Sequence, residues 1–184
     1  MRPEIPGPER VLPELRSLEP DPMLVRWLES HPVRGFARAA VIGHRWGVHV
    51  PYLASLGLPA QEFMLGSRLR RETGGPHLVP VDADGARLPA ADGPFDLVVV
   101  FELIRPMMWG ISARGVMESI VDLAVPGGTV LVIAAAAVQS DGRPWPLTGD
   151  ELREFGSGDL ELVERTEPDW RSMTIEYRRS TFPR

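Results

Sequence analysis

Apolar residues cluster in five short runs between residues 38 and 138, and segments with helical spacing lie between several of them. The clearest run, residues 94–103, is almost continuously apolar, as expected for a strand buried on both faces of a parallel sheet. The runs predict strands over residues 38–43, 60–65, 76–82, 94–103 and 129–138. Because strands and helices alternate, we expect a doubly wound, mostly parallel α/β sheet.

The spacing of apolar residues predicts amphipathic helices over residues 22–31, 48–57 and 112–124. In the first helix, Leu24, Val25 and Leu28 lie on one face. Pro32 is expected to end that helix, because a proline disfavours helical backbone in the residue before it. Gly57 closes the second helix.

The pattern changes after residue 140. Thr148 and Glu151 have the spacing of a capping box, which predicts a helix that runs to about residue 155. Residues 160–167 and 173–180 alternate apolar and polar side chains over the length of a strand. They predict an antiparallel pair at the edge of the sheet.

The first 22 residues contain six prolines, which lack the amide hydrogen that a helix or a paired strand needs. We therefore expect a single domain over residues 1–184, with a proline-rich arm (1–22), a sheet core (23–140) and a C-terminal helix with antiparallel strands (141–184). The arm fits either a contact in a homodimer or a cover over the crevice of its own chain.

The amino-acid composition mainly excludes classes of function and of site. The chain of 184 residues is 43% hydrophobic and 24% charged, which is typical of a globular protein. Its net charge of -5, without a large basic cluster, argues against a nucleic-acid partner and favours a small-molecule substrate. It has no cysteine, no stretch of about 18 apolar residues and no histidine pair with ligand spacing. We expect a cytoplasmic protein without disulfides, membrane spans or a metal site.

Two glycines bracket the connection between the first strand and the second helix. Gly43 ends the strand and Gly47 precedes the helix, whereas His44, Arg45 and Trp46 lie between them. Ligands of open α/β sheets bind where such connections leave the carboxyl ends of the strands. The connection is therefore the first candidate for a binding site, although bulky side chains stand where a backbone usually approaches a ligand.

Two further stretches complete the pattern: DGARLPAADGPFDLVVV at residues 84–100 and VPGGTVLVI at residues 125–133. Together with the glycine turn, the strand order and the closing antiparallel pair, they resemble the class I S-adenosylmethionine-dependent methyltransferases over residues 24–179. The resemblance implies a Rossmann-like sheet and S-adenosylmethionine as the cofactor. It also implies transfer of a methyl group to an oxygen, nitrogen or sulfur atom of a small molecule.

The resemblance further implies which residues contact the cofactor. Gly43 and Gly47 match the outer glycines of the family's Gly-x-Gly-x-Gly turn, which passes under the methionine part of the cofactor, and His44 lies within that turn. Asp84 matches the acid that meets the adenine. Arg45 replaces the middle glycine, so it either pairs with the carboxylate of the cofactor or fills the pocket and excludes the cofactor.

The second strand departs from the family pattern. Leu65 stands where the family has the acid that binds the ribose, and Glu62 comes too early in the strand to replace it. Asp96 fits the structural aspartate that the family has at the start of the fourth strand.

His49 and Glu102 are the candidates for catalysis. Histidine side chains commonly serve as general bases, so His49 could act as one, or the residue could simply lie on the surface of its helix. Glu102 ends the fourth strand, where it could orient the nucleophile for in-line methyl transfer, or it could pair with Arg105 on the surface.

Three functions therefore stay open. The leading one is an S-adenosylmethionine-dependent methyltransferase that acts on a small molecule. The second is a methyltransferase-like protein that has lost its cofactor and serves as a binding or partner subunit, which Arg45, Trp46 and Leu65 favour. The third is a repurposed enzyme that moves protons with Glu102 or a histidine near the turn. A nicotinamide dehydrogenase ranks below these, because the chain has no Gly-x-Gly-x-x-Gly.

Overall fold

Within the described residues, the computed structural model contains one sheet with seven strands. They are β1 (Ala39–Ile42), β2 (Ala60–Gly66), β3 (His77–Val81), β4 (Phe95–Phe101), β5 (Ala124–Ala135), β6 (Leu160–Asp169) and β7 (Ser172–Arg179). Their order across the sheet is β3-β2-β1-β4-β5-β7-β6. The residues that the structure describes are 19–43, 47–66, 77–81, 94–101, 119–135, 159–169 and 172–181.

Helix α1 (Pro22–Ser30) begins where the carboxylate of Asp21 accepts a hydrogen bond from the amide of Met23 at 2.8 Å. Helix α2 (His49–Ser55) is closed by Gly57, whose φ of 86° only glycine adopts readily, so that prediction is confirmed. No helix in the described ranges is long and apolar enough to cross a membrane.

Three predicted segments lie wholly or partly outside the described residues. Only residues 119–123 of the third predicted helix are described, and they are helical. The helix predicted after Thr148 and most of the proline-rich arm lie outside the described ranges.

The centre of the sheet is parallel, as predicted. β1 lies between β2 and β4 and runs parallel to both, with Ile42 opposite Phe63 on one side and Val100 on the other. β4 is in turn parallel to β5. All of β1 is buried, and β4 is buried except at Asp96, which explains why these strands read as continuous apolar runs.

β3 is the exception on this side of the mostly parallel sheet, because it runs antiparallel to β2. Gly66 lies opposite His77 and Glu62 lies opposite Val81. The physical reason is the length of the connection: residues 67–76 are fewer than the dozen or so that a parallel crossover needs, whereas an antiparallel return needs only a short turn.

The predicted C-terminal antiparallel pair is confirmed. β7 is antiparallel to both β5 and β6, and β6 lies at the edge of the sheet. β5 begins at Ala124 rather than at Thr129, and its pairing with β4 shifts register between Phe95 and Leu97.

Apolar side chains cover both faces of the sheet. On one face, Leu24 of α1 and Leu53 of α2 pack with Val99 of β4. On the other face, Ile120 packs with Tyr177. Helical segments therefore lie on both faces, which is the doubly wound arrangement that the sequence predicts.

Helix α1 is attached to the sheet by a polar contact that the sequence did not indicate. Trp27, rather than Val25, completes the buried face of the helix. The indole of Trp27 donates a hydrogen bond to Oε2 of Glu176 on β7 at 3.1 Å, and Glu176 is only 4% exposed. Nε2 of His31 lies 3.4 Å from the same oxygen, and its ring stacks on Trp27 with 4.2 Å between centroids.

Candidate functional site

β1 lies where the strand order reverses, because the chain continues to β2 on one side of β1 and later returns to β4 on the other. In open α/β sheets the carboxyl ends of the strands leave a crevice at such a point, and ligands bind there. The segment that leaves β1 at this edge contains Gly43 and Gly47 and leads into α2. The glycine turn is therefore placed where the topology favours binding.

Gly43 is required by the neighbouring strand. Its φ is 149°, and a Cβ at this position would lie 2.6 Å from Cβ and 2.9 Å from the carbonyl oxygen of Phe101. Any other residue would have to push β1 away from the end of β4. The first glycine of the turn thus allows β1 and β4 to approach closely, independently of any ligand.

Gly47 is held by an acid from β2. Its φ is 78°, and its amide donates a hydrogen bond to Oε2 of Glu62 at 3.1 Å. Glu62 is 4% exposed. The sequence analysis considered Glu62 only as a replacement for the ribose-binding acid and did not predict this contact with Gly47. A signal was present, because an acid within a buried strand needs a hydrogen-bonding partner.

His49, the first residue of α2, lies beside the same strand end. Its ring is 2% exposed and stacks on Phe101 with 4.1 Å between centroids. Its Nε2 accepts a hydrogen bond from the amide of Asp21 at 3.2 Å. His49 thus joins the start of α1 to the end of β4, and it does not lie on the helix surface.

Comparison with known proteins finds similarity in fold but no match to a family model or a curated sequence. The structure resembles the N-methyltransferase NodS from Bradyrhizobium japonicum WM9 in complex with S-adenosyl-L-homocysteine, at TM-score 0.50 and 15% identity over 90% of each chain. It resembles the glycopeptide N-methyltransferase MtfA complexed with S-adenosylmethionine at TM-score 0.52 and 16% identity, over 84% of this chain and 92% of MtfA.

The chain also resembles a third solved structure, from work on the conversion of a disulfide bond into a thioacetal group during echinomycin biosynthesis, at TM-score 0.59 and 16% identity. The match covers 90% of this chain and 84% of the other. The chain has the fold of the class I S-adenosylmethionine-dependent methyltransferases. In this methyltransferase fold the seven strands form the mixed, centrally parallel sheet described above.

Within the methyltransferase fold, the structure brings three of the predicted residues together. Gly43, Gly47 and His49 lie around the end of β1, with Phe101 and Glu62 as neighbours that the prediction did not include. The other predicted site residues lie outside the described part of the chain: His44, Arg45, Asp84 and Glu102. Their roles stay predictions.

The direction of β3 bears on the predicted position of Asp84, which follows this strand in the chain. β3 is antiparallel to β2, and its last residue, Val81, lies opposite Glu62. Asp84 itself is outside the described residues, so its contact with the cofactor stays a prediction.

Asp96 has a structural role, as the resemblance implied. Its Oδ2 accepts hydrogen bonds from the amides of Ala37 at 3.1 Å and Arg38 at 3.0 Å. These bonds tie the segment before β1 to the start of β4. Among the described residues, no group of three or more histidines, cysteines, aspartates or glutamates is placed to hold a metal ion.

Proposed function

We propose that this protein is an S-adenosylmethionine-dependent methyltransferase that acts on a small molecule. The observation that carries the proposal is the position of the turn between Gly43 and Gly47. It leaves the central strand β1 at the reversal point of a methyltransferase fold. Two proteins of similar fold, NodS and MtfA, are known in complex with S-adenosyl-L-homocysteine and S-adenosylmethionine.

The described part of the turn fits this cofactor better than a dinucleotide. Dinucleotide-binding turns use free backbone amides at the start of a helix to hold a pyrophosphate. Here the amide of Gly47 already donates to the carboxylate of Glu62. A phosphate would meet the acceptor oxygen of Glu62 and an amide that is already engaged, whereas S-adenosylmethionine carries no phosphate.

When bound, S-adenosylmethionine would supply a methyl group on a sulfonium centre. The protein's part is alignment, because holding two reactants in line provides much of the rate enhancement of such transfers. Glu102 follows Phe101 directly in the chain, which favours a role in orienting the nucleophile at the end of β4. Arg45 and Asp84 are proposed to contact the carboxylate and the adenine of the cofactor.

His49 is better placed to hold neighbouring segments of the chain together than to transfer a proton. A general base must reach the proton that it removes. The ring of His49 is 2% exposed, and its Nε2 already accepts the amide of Asp21. We therefore assign His49 to holding α1 against the turn.

A second candidate function is a cofactor-free binding or partner subunit. Leu65, whose Cα lies opposite Leu78 of β3, favours it, because the resemblance places a ribose-binding acid at this position of β2. The variant Arg45→Gly separates the candidates further. A gain of cofactor binding in this variant identifies Arg45 as a block, and a loss identifies it as a ligand.

Thermal unfolding in the presence of S-adenosylmethionine or S-adenosyl-L-homocysteine tests the proposal, with NAD as the control ligand. A site with a dissociation constant of about 10 μM adds roughly 2.7 kcal/mol at about 1 mM ligand. A rise in the melting temperature with the two adenosyl ligands, and none with NAD, supports the methyltransferase. No rise with either adenosyl ligand rejects it in favour of the cofactor-free subunit.

A further inference from the structure

Glu62 has a role at this site that the predicted binding residues do not account for. It lies on β2, is 4% exposed, and accepts the amide hydrogen of Gly47. We propose that Glu62 is a positioning residue that holds Gly47, the last residue of the glycine turn, in place for cofactor binding without contacting the cofactor. The effect on cofactor affinity rests on the proposed function, whereas the effect on the turn does not.

The register of the sheet explains how Glu62 reaches the turn. Glu62 lies opposite Val41 of β1, and residues at the same level of neighbouring strands point to the same face. Val41 packs in the core with Leu24 of α1 and Leu53 of α2. The carboxylate of Glu62 therefore lies on the face that α1 and α2 cover, where Gly47 leads into α2.

The start of α2 lacks a cap of its own. Its N-cap residue, Val48, makes no side-chain hydrogen bond, and its first turn contains no acidic residue. The first amides of a helix need hydrogen-bond acceptors from outside the helix. Glu62 supplies such an acceptor from a neighbouring strand to the amide of Gly47, one residue before the N-cap.

The contact between Glu62 and Gly47 stabilises both partners. A carboxylate this deeply buried is costly unless hydrogen bonds satisfy it, and the amide of Gly47 provides one. In return, Glu62 fixes one end of the turn, while the close approach of Phe101 fixes Gly43 at the other end. Fixing these two end residues before the ligand arrives lowers the entropic cost of binding.

The test compares Glu62→Gln, whose amide oxygen still accepts a hydrogen bond, with Glu62→Met, which removes the acceptor but keeps the length of the side chain. Glu62→Ala replaces the methionine variant if that variant unfolds. Glu161→Gln, on the exposed part of β6, is the matched control. The first readout is hydrogen exchange of the Gly47 amide by NMR, which needs no ligand. The second is the dissociation constant of S-adenosyl-L-homocysteine by calorimetry.

In Glu62→Met we expect the Gly47 amide to exchange about tenfold faster or more, which corresponds to roughly 1.4 kcal/mol. We expect a similar loss of affinity for S-adenosyl-L-homocysteine, with unchanged exchange at the amides of β4. Glu62→Gln and Glu161→Gln should stay close to the wild type in both readouts.

Unchanged exchange at Gly47 in Glu62→Met overturns the positioning role. Unchanged ligand affinity in a variant whose Gly47 amide has been released overturns its link to binding. If the wild-type protein binds no S-adenosyl-L-homocysteine, the proposed function fails. The exchange of Gly47 then decides by itself whether Glu62 holds the turn.

Discussion

The imidazole of His49 stacks on the ring of Phe101, with 4.1 Å between the centroids and 20° between the planes. The Cβ of Phe101 occupies the space that the missing side chain of Gly43 leaves open. One aromatic residue at the end of β4 therefore contacts the chain on both sides of the glycine turn. Its packing links the geometry of the turn to the stability of the sheet.

Variants of His49 should separate its stacking from its hydrogen bond. His49→Phe keeps an aromatic ring against Phe101 but leaves the amide of Asp21 without its acceptor, so we expect a loss of about 1–2 kcal/mol in unfolding free energy. His49→Ala loses both contacts and should cost about 2–4 kcal/mol. Urea titration measures both values. Equal losses in the two variants would show that the ring stacking contributes nothing.

Three glycine-to-alanine variants form a graded series. Gly43→Ala combines a positive φ with the clash against Phe101, and we expect it to cost about 3 kcal/mol or more. Gly57→Ala has a positive φ but no atom within 4 Å of the new Cβ, so it should cost about 1 kcal/mol. Gly35→Ala has neither feature and should be neutral or slightly stabilising. Denaturant midpoints give the order, and a Gly43→Ala protein as stable as Gly57→Ala would contradict the close approach of β4.

Two partners of Glu176 should differ in their contribution to stability. Trp27→Phe removes a buried hydrogen-bond donor to the carboxylate and should cost about 1–2 kcal/mol. Arg178 lies 3.5 Å from the other oxygen of Glu176, but its side chain is 54% exposed, so Arg178→Ala should cost less than about 0.5 kcal/mol. Chemical denaturation of the two variants checks the difference. The reverse order would mean that the ion pair, and not the indole, anchors this region.

The parts of the fold that depend on local spacing could be predicted from sequence. β1 and β4 read as continuous apolar runs, because a strand that is buried on both faces has few positions for polar residues. The turn at Gly43 and Gly47 could also be predicted, since glycine often marks a backbone conformation that other residues adopt poorly.

Strand direction and long-range contacts could not be predicted in this way. The run that forms β3 has the same period in either direction, and only the short connection after β2 indicates an antiparallel return. Trp27 and Glu176 are 149 positions apart in the chain, and Gly47 and Glu62 are 15 apart. The family pattern, read along the chain, therefore drew attention to Leu65 as the position of the ribose-binding acid. It gave no indication of the contact between Glu62 and Gly47, because that contact depends on the register between β1 and β2.

An NMR titration of the isotope-labelled protein with S-adenosyl-L-homocysteine, up to about 1 mM, most directly tests for a cofactor site at the end of β1. We predict that the largest changes in amide chemical shift occur at Gly43, Gly47 and Phe101, and that they saturate with a dissociation constant in the micromolar range. An absence of changes throughout the titration, or changes confined to β6 and β7, would contradict a cofactor site at this turn.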